Sequence, residues 1–193
     1  FLGTRLNIEG ILHLAGGVMR REVEELEVVL IRLDLGALGD GVSHLHEDVD
    51  EFVERAQHLV AELVGRFRGD RRALSAIALC ASAPTLTAIA NDYGFEQVFA
   101  RQLEGIARPG DVAVGLSTSG NSPNVLKAIE YANQQGAVTV GLTGFNGGKL
   151  TGLAQVPVHV PVNDMQKVED IHMMLFHVAM QVLCARMDAA TGK

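Results

Sequence analysis

Asp111-Val-Ala-Val-Gly-Leu-Ser-Thr-Ser-Gly-Asn-Ser-Pro-Asn124 decides how the chain folds. Its first six residues form an apolar run short enough to be one buried strand. Four hydroxyl residues, Ser117, Thr118, Ser119 and Ser122, follow within six positions. Pro123 then opens an amphipathic helix to Gln135, with Ser122 in the N-cap position. Proline suits the first helical position because the N–H it lacks has no intrahelical partner there. A strand, a hydroxyl-rich turn and a helix N-terminus hold a phosphate without a lysine. Backbone N–H groups and the positive end of the helix dipole attract the anion, and the hydroxyls donate to its oxygens. A capped turn without a ligand has no need of four hydroxyls beside Gly120.

The same alternation continues on both sides. Towards the C-terminus, Gly136 ends the helix and Ala137–Leu142 reads as a strand. A Gly-rich turn (143–148), a short helix (149–154) and the strand Val156–Val160 follow, the last at a sheet edge because it contains Pro157. Asp164 caps a final helix to about Met187. Towards the N-terminus, Arg108-Pro-Gly-Asp111 is a turn, preceded by a helix over Phe95–Ala107. Before it come a helix from Pro84 through Ala90, with Gly94 beyond its end, and the strand Ala76–Cys80. Ser43 caps a strongly amphipathic helix to Phe67, whose apolar positions from Leu45 through Leu63 recur every three or four residues. Residues 36–43 form a Gly-rich loop. Val28–Leu35 reads equally as a first strand or as the end of a helix begun at Val18. Residues 1–17 are weakly patterned, poorly ordered or a loose helix.

Strands alternating with helices across short Gly/Ser turns imply an α/β fold: a mostly parallel sheet between two helical layers. The expected division is an N-terminal helical extension over 1–35 and the sheet domain over 36–193. Ligands of such sheets sit at the carboxyl ends of the strands, where the strand order reverses, and the 115–122 loop is at such an end.

Composition agrees with a globular domain. The 193 residues are 48% hydrophobic and carry a formal net charge of −7. The length suits one domain, or a domain with an extension. The sequence shows no apolar run of 18 residues, and Phe1-Leu-Gly-Thr-Arg5 has no leader pattern, so a soluble protein is expected. Cys80 and Cys184 lie in apolar runs and read as buried free thiols, which fits a reducing cytoplasm. The acidic balance argues against a general nucleic-acid binder.

A second constellation lies outside the loop. His58 and Glu62 are four apart on one helix face, with Arg66 a turn further on. Glu169 and His177 are eight apart on the last helix, flanking an apolar stripe of Val168, Ile171, Leu175, Val178 and Val182, with His172 between them. A His-x3-Glu pair is ordinarily a solvated i,i+4 pair, and a lone histidine on an apolar helix is ordinarily a satisfied core residue. Two imidazoles and two carboxylates together are a set that zinc accepts. A glutamate and a histidine are also the groups that move protons near neutral pH.

Several motifs, in order, resemble those of the phosphoheptose isomerases of the sugar isomerase (SIS) family. They are Gln57-His-Leu-Val-Ala-Glu-Leu-Val-Gly-Arg-Phe67, Leu86-Thr-Ala-Ile-Ala-Asn-Asp-Tyr-Gly-Phe95, Val98-Phe-Ala-Arg-Gln102, Arg108-Pro-Gly-Asp111, Ser117-Thr-Ser-Gly-Asn-Ser-Pro-Asn-Val125, Gly141-Leu-Thr-Gly144, Gly147-Gly-Lys-Leu150 and Val168-Glu-Asp-Ile-His172 with His177. The resemblance covers about Ala56 to Cys184. It implies a flavodoxin-like sheet and isomerisation of sedoheptulose 7-phosphate to D-glycero-D-manno-heptose 7-phosphate, a precursor of lipopolysaccharide or surface glycan. It implies a cytoplasmic homotetramer with active sites between subunits. Carried over by motif, Glu62 would be the general base and His177 its partner acid/base. Ser117, Thr118, Ser119 and Ser122 would hold the phosphate, and Arg66 and Asp92 would contact the sugar. His58, Glu62, Glu169 and His177 would form the zinc site of some members, although the family motif often has Gln at the position of Glu169.

One family feature is out of place. A Gly-Asn-Gly-Gly-Ser loop should precede Gln57-His58 by a few residues, where this chain has Asp-Glu-Phe-Val-Glu-Arg-Ala56. The nearest candidate is Gly39-Asp-Gly-Val-Ser43, which would make Ser43 a phosphate-side residue. Either that loop moves N-terminally and the helix lengthens, or residues 1–55 have diverged and part of the site is absent. The second account favours a non-catalytic SIS-domain regulator that binds a sugar phosphate or a protein, as a family member that partners the replication initiator does. The presence of Glu62 with His177 favours the enzyme, and a third reading keeps the enzyme with another sugar phosphate as substrate.

Overall fold

The computed structural model describes the backbone at residues 27–32 and 45–191 and side chains at 54–189. Five strands form one parallel sheet: β1 (Glu27–Arg32), β2 (Ser75–Ala78), β3 (Val112–Leu116), β4 (Val138–Thr143) and β5 (Val156–His159), in the order β2-β1-β3-β4-β5. Val28–Leu35, open between helix and strand in the sequence, contributes β1, which pairs with both β2 and β3. This strand lies N-terminal to the division expected at residue 35. Val18–Val23 and the 36–43 loop, with Ser43, lie outside the described residues.

The described helices are α1 (Leu45–Val64), α2 (Ala83–Tyr93), α3 (Ala100–Ile106), α4 (Pro123–Gln134), α5 (Leu150–Leu153) and α6 (Met165–Thr191). From β1 the chain moves outward to β2; from β3 it moves the other way, to β4 and β5. Right-handed crossovers therefore put α1 and α4 on opposite faces of the sheet. Accordingly α1 packs on β1, β2 and α6, and α4 packs on β3, β4 and α5. This is the three-layer architecture expected, with the reversal of strand order between β1 and β3.

The core is apolar on both sides of β3, whose five residues are all buried. Gly115 lets α4 approach closely: a Cβ there would lie 3.0 Å from both Ile129 and Val125. Phe99 is fully buried. Phe99→Ala is expected to cost about 3–5 kcal/mol, because the ring leaves a cavity as well as lost transfer energy. Denaturant unfolding checks this, as a lower midpoint with an unchanged slope.

Three local readings change. The expected continuous helix over Phe95–Ala107 is a 3-10 turn at Phe95–Gln97 followed by α3. Val98 and Phe99 are adjacent and both fully buried. α1 ends at Val64, before Arg66, and Phe67 takes φ 52° just past that end.

The buried stripe of α6 is rotated from the one expected. Val168 and Leu175 are buried, but Val178 is 45% exposed, and Phe176, Ala179, Met180 and Leu183 are buried instead, together with Glu169 and His172. A helix this rich in apolar residues offers more than one stripe at helical period, so polar partners decide its rotation. His172 Nε2 lies 3.2 Å from the Thr143 carbonyl oxygen. By length and composition Met165–Ala189 could cross a membrane. In the fold it covers the core, with Val168, Phe176 and Met180 almost wholly buried. Asp164 caps α6: the Lys167 backbone N–H donates to its Oδ1 at 3.3 Å. The Lys167 ammonium, and then that N–H, hold the Asp164 carboxyl below its ordinary value.

Candidate active site

The turn after β3 buries three of its four hydroxyl residues. Ser117, Thr118 and Ser122 are 1%, 2% and 1% exposed, and Ser119 is half-buried. Ser122 occupies the N-cap position of α4, but its hydroxyl makes no cap. It shares a hydrogen bond with Ser117 Oγ at 2.9 Å. The loop is locked to the turn that follows β4. Gly144 N–H donates to Thr118 O at 2.8 Å, and Leu150 N–H donates to Gly120 O at 2.9 Å. Asn121 Oδ1 accepts from Lys149 N–H at 3.2 Å. Gly120 has φ 68°, and a Cβ on it would lie 2.1 Å from Gly147 O. The residue must be glycine for both reasons.

The second constellation draws on two helices. His58 and Glu62 lie one turn apart on α1, and His177 approaches from α6. His58 Nε2 is 3.3 Å from Glu62 Oε1, and His177 Nε2 is 3.5 Å from the same oxygen. The two Nε2 atoms are 3.3 Å apart. The three atoms thus form a nearly equilateral triangle. Ligands of a tetrahedral zinc, at bonds of about 2.0–2.1 Å, stand about 3.3–3.4 Å from one another. The triangle therefore fits a small divalent metal, and these three residues are able to hold one. Glu62 is the most protected of them, with its side chain 15% exposed against 47% for His58 and 40% for His177. Its Oε2 is buried without a hydrogen-bond partner among the described residues. A buried acceptor left unpaired is costly, and such a group commonly serves a ligand or a reacting atom.

Glu169 does not join this cluster. Its Oε2 lies 2.6 Å from Arg55 Nη2, and its Oε1 accepts from Thr118 Oγ1 at 3.4 Å. The four-residue metal set expected from the motif is thus three residues here, and Glu169 stands behind the hydroxyl loop instead. Burial explains the difference: a carboxylate 3% exposed requires a charge partner, and Arg55, one turn before His58 on α1, supplies it. Arg66 and Asp92 are solvent-exposed, with Asp92 Oδ1 accepting from Asn91 Nδ2 at 3.0 Å.

Sequence reasoning missed two arginines. Arg55 adjoins the apolar stripe of α1 beside Ala56 and Leu59, and a charge at that register is the signal for a buried pair. Arg71 wraps the end of α1: its Nη1 donates to Leu63 O at 2.9 Å and its Nη2 donates to Glu62 O. An arginine shortly after a helix is the usual donor to the last, unpaired carbonyls. Arg71 thereby fixes the backbone that carries Glu62.

The site therefore has a hydroxyl-lined loop at the carboxyl end of β3 and a cluster of one carboxylate and two imidazoles between α1 and α6. Arg55 and Glu169 tie both helices to the loop. Along α6, Glu169 and His177 are eight residues apart, about 12 Å at the α-helical rise. That is the scale of an extended sugar phosphate with its phosphate at one end and its reacting carbon at the other.

Known proteins resemble this chain in sequence and fold. A family model described as the SIS domain matches residues 53–144. A phosphoheptose isomerase of Geotalea daltonii is 44% identical over 183 residues, covering 93% of this chain and 95% of the relative. One from Nitratiruptor sp. is 50% identical over 133 residues, 69% of each chain. Among solved structures, a phosphoheptose isomerase from Neisseria gonorrhoeae aligns with a TM-score of 0.76 at 30% identity, over 92% of this chain and 86% of that one. The one from Francisella tularensis aligns at 0.75 and 25% identity, over 93% and 87%. The chain belongs to the phosphoheptose isomerase family of SIS-domain proteins.

Proposed function

We propose that this protein is an aldose–ketose isomerase that converts sedoheptulose 7-phosphate to D-glycero-D-manno-heptose 7-phosphate. The convergence of Glu62 with two imidazoles, on helices tied to a hydroxyl-lined anion loop, carries the reading. Ser117, Thr118, Ser119 and Ser122, with the N-terminus of α4, bind the phosphate and fix the sugar's far end. Glu62 removes a proton from carbon 1 of the ketose while His177 delivers one to the carbonyl oxygen on carbon 2, giving the enediol. His177 then takes the proton from the oxygen on carbon 1. The electron pair closes the new aldehyde, and the carbon–carbon double bond recovers a proton from Glu62 at carbon 2. Each group ends as it began. Relatives of the same length favour this enzyme over the non-catalytic regulator.

His58, Glu62 and His177 would hold zinc, which when bound polarises a carbonyl as a Lewis acid. Glu62 Oε1 belongs to the triangle, which leaves Oε2 as the oxygen to take the substrate proton. His58→Ala is expected to reduce bound zinc from about one equivalent per chain to a trace, read by elemental analysis after dialysis. Arg66 and Asp92 contact the sugar in a cytoplasmic homotetramer whose active sites lie between subunits. Apolar residues left in solvent support the assembly: Met174 (66%) and Val178 (45%) on the outer side of α6, and Tyr93 (54%) near the end of α2.

The test is incubation of the protein with sedoheptulose 7-phosphate, with and without zinc, following aldose formation. Turnover supports the reading. No turnover under either condition overturns it.

A further inference from the structure

The buried face of α4 begins with a polar residue. Its buried positions are Asn124, Val125, Ala128, Ile129 and Ala132. Asn124 is 2% exposed. Its Oδ1 accepts from the Val125 backbone N–H at 2.9 Å. That bond tells the two ends of the amide apart, because only the oxygen accepts. Nδ2 is the other end, buried and without a hydrogen-bond partner among the described residues. An unmade donor in the interior is costly, and a buried amide that keeps one calls for an explanation.

The position of Asn124 supplies one. Val125 N–H belongs to the first turn of α4, where N–H groups point out of the helix end and have no intrahelical acceptor. The bond from that group holds the carboxamide across the end of the helix. Ser122, in the N-cap position, makes no side-chain cap there. α4 follows the carboxyl end of β3 and packs on both β1 and β3, the strands between which the order reverses. The unpaired donor therefore sits where the positive end of the helix, the 117–122 loop and the crevice of the sheet meet.

We infer that Asn124 Nδ2 donates to an oxygen of the phosphomonoester held by the 117–122 loop. The inference rests on the phosphate reading of that loop. The amide then has two roles. Its oxygen closes the first turn of α4, and its nitrogen adds a carboxamide donor to the hydroxyls around the anion.

A residue that only caps and a residue that also binds phosphate respond differently to substitution. Asn124→Asp keeps an acceptor for the Val125 N–H and turns the donor into an oxygen that repels the anion. Asn124→Ala removes acceptor and donor and adds no charge. For a cap alone, affinity follows stability and Asn124→Asp is the milder change. For a phosphate donor, Asn124→Ala weakens phosphate binding by about tenfold or more, the loss of a hydrogen bond to a charged group. Asn124→Asp weakens it further, although it keeps the cap.

The experiment is calorimetric titration of inorganic phosphate into the whole chain, parent and both variants, at constant ionic strength. A melting curve for each protein establishes that it is folded and sets the titration well below its midpoint. A loss in Asn124→Ala and a larger loss in Asn124→Asp support the inference. Parental affinity in Asn124→Ala, or a smaller loss in Asn124→Asp than in Asn124→Ala, overturns it while leaving the phosphate reading intact. If Asn124→Asp does not fold, Asn124→Ala decides alone, by tenfold loss or by retention. A folded parent that binds no phosphate overturns that reading and this inference together.

Discussion

Glu62→Gln is expected to lower kcat for aldose formation by about 10²–10⁴-fold, the range that a positioned general base contributes. KM should change little, because phosphate binding lies at the other end of the site and the amide keeps the side chain's shape. The reason is specific to this carboxylate. Two Nε2 atoms lie against its Oε1, and its Oε2 is buried with no hydrogen-bond partner among the described residues. Glutamine retains an acceptor but cannot take a proton from carbon. A loss confined to KM would place Glu62 in binding alone. His177→Ala should fall in the same range, and the double variant should be little worse than either single one, since the two groups act in one proton circuit.

Gly120→Ala carries the second large effect. The methyl group would lie 2.1 Å from Gly147 O, and the backbone would hold alanine at φ 68°. The conformational strain alone is about 1–3 kcal/mol, which for a chain of this size lowers Tm by roughly 2–12 °C. The clash adds to that by separating the 117–122 loop from the 144–149 turn. The hydrogen bonds that join this region, Gly144 to Thr118, Leu150 to Gly120 and Lys149 to Asn121, would lengthen or break. The hydroxyls then lose their common aim at one anion. The expected kinetic result is a fall in kcat/KM larger than the stability loss accounts for, measured well below the new Tm. A folded Gly120→Ala protein with parental kcat/KM would show that the loop does not anchor the substrate.

The strand, hydroxyl turn and helix start at 112–134 were the most legible part of the sequence, because they are local features with local signals. The alternation around them was enough for a parallel sheet, and Pro157 was enough to put β5 at the edge. β1 was ambiguous because a short apolar run has no helical or strand period of its own; its pairing with β2 and β3 decides it. The rotation of α6 was illegible for the opposite reason, since 17 of its 27 positions are apolar and they offer more than one stripe. Only the distant partners of its polar residues select the buried face: Arg55 and Thr118 for Glu169, and Thr143 for His172. The placement of Glu169 follows from this. Its spacing from His177 suited a shared metal, but a buried carboxylate goes where its counter-charge is, and that charge lies on another element.

Isomerisation in deuterium oxide tests the proton-transfer account most directly. Sedoheptulose 7-phosphate is incubated with the parent and with Glu62→Gln, and the aldose is observed by NMR. The account predicts aldose from the parent that carries deuterium on carbon 2 to the extent that the proton held on Glu62 exchanges with solvent at the enediol stage, and no appreciable aldose from Glu62→Gln. Aldose formed by Glu62→Gln at the parental rate would contradict it.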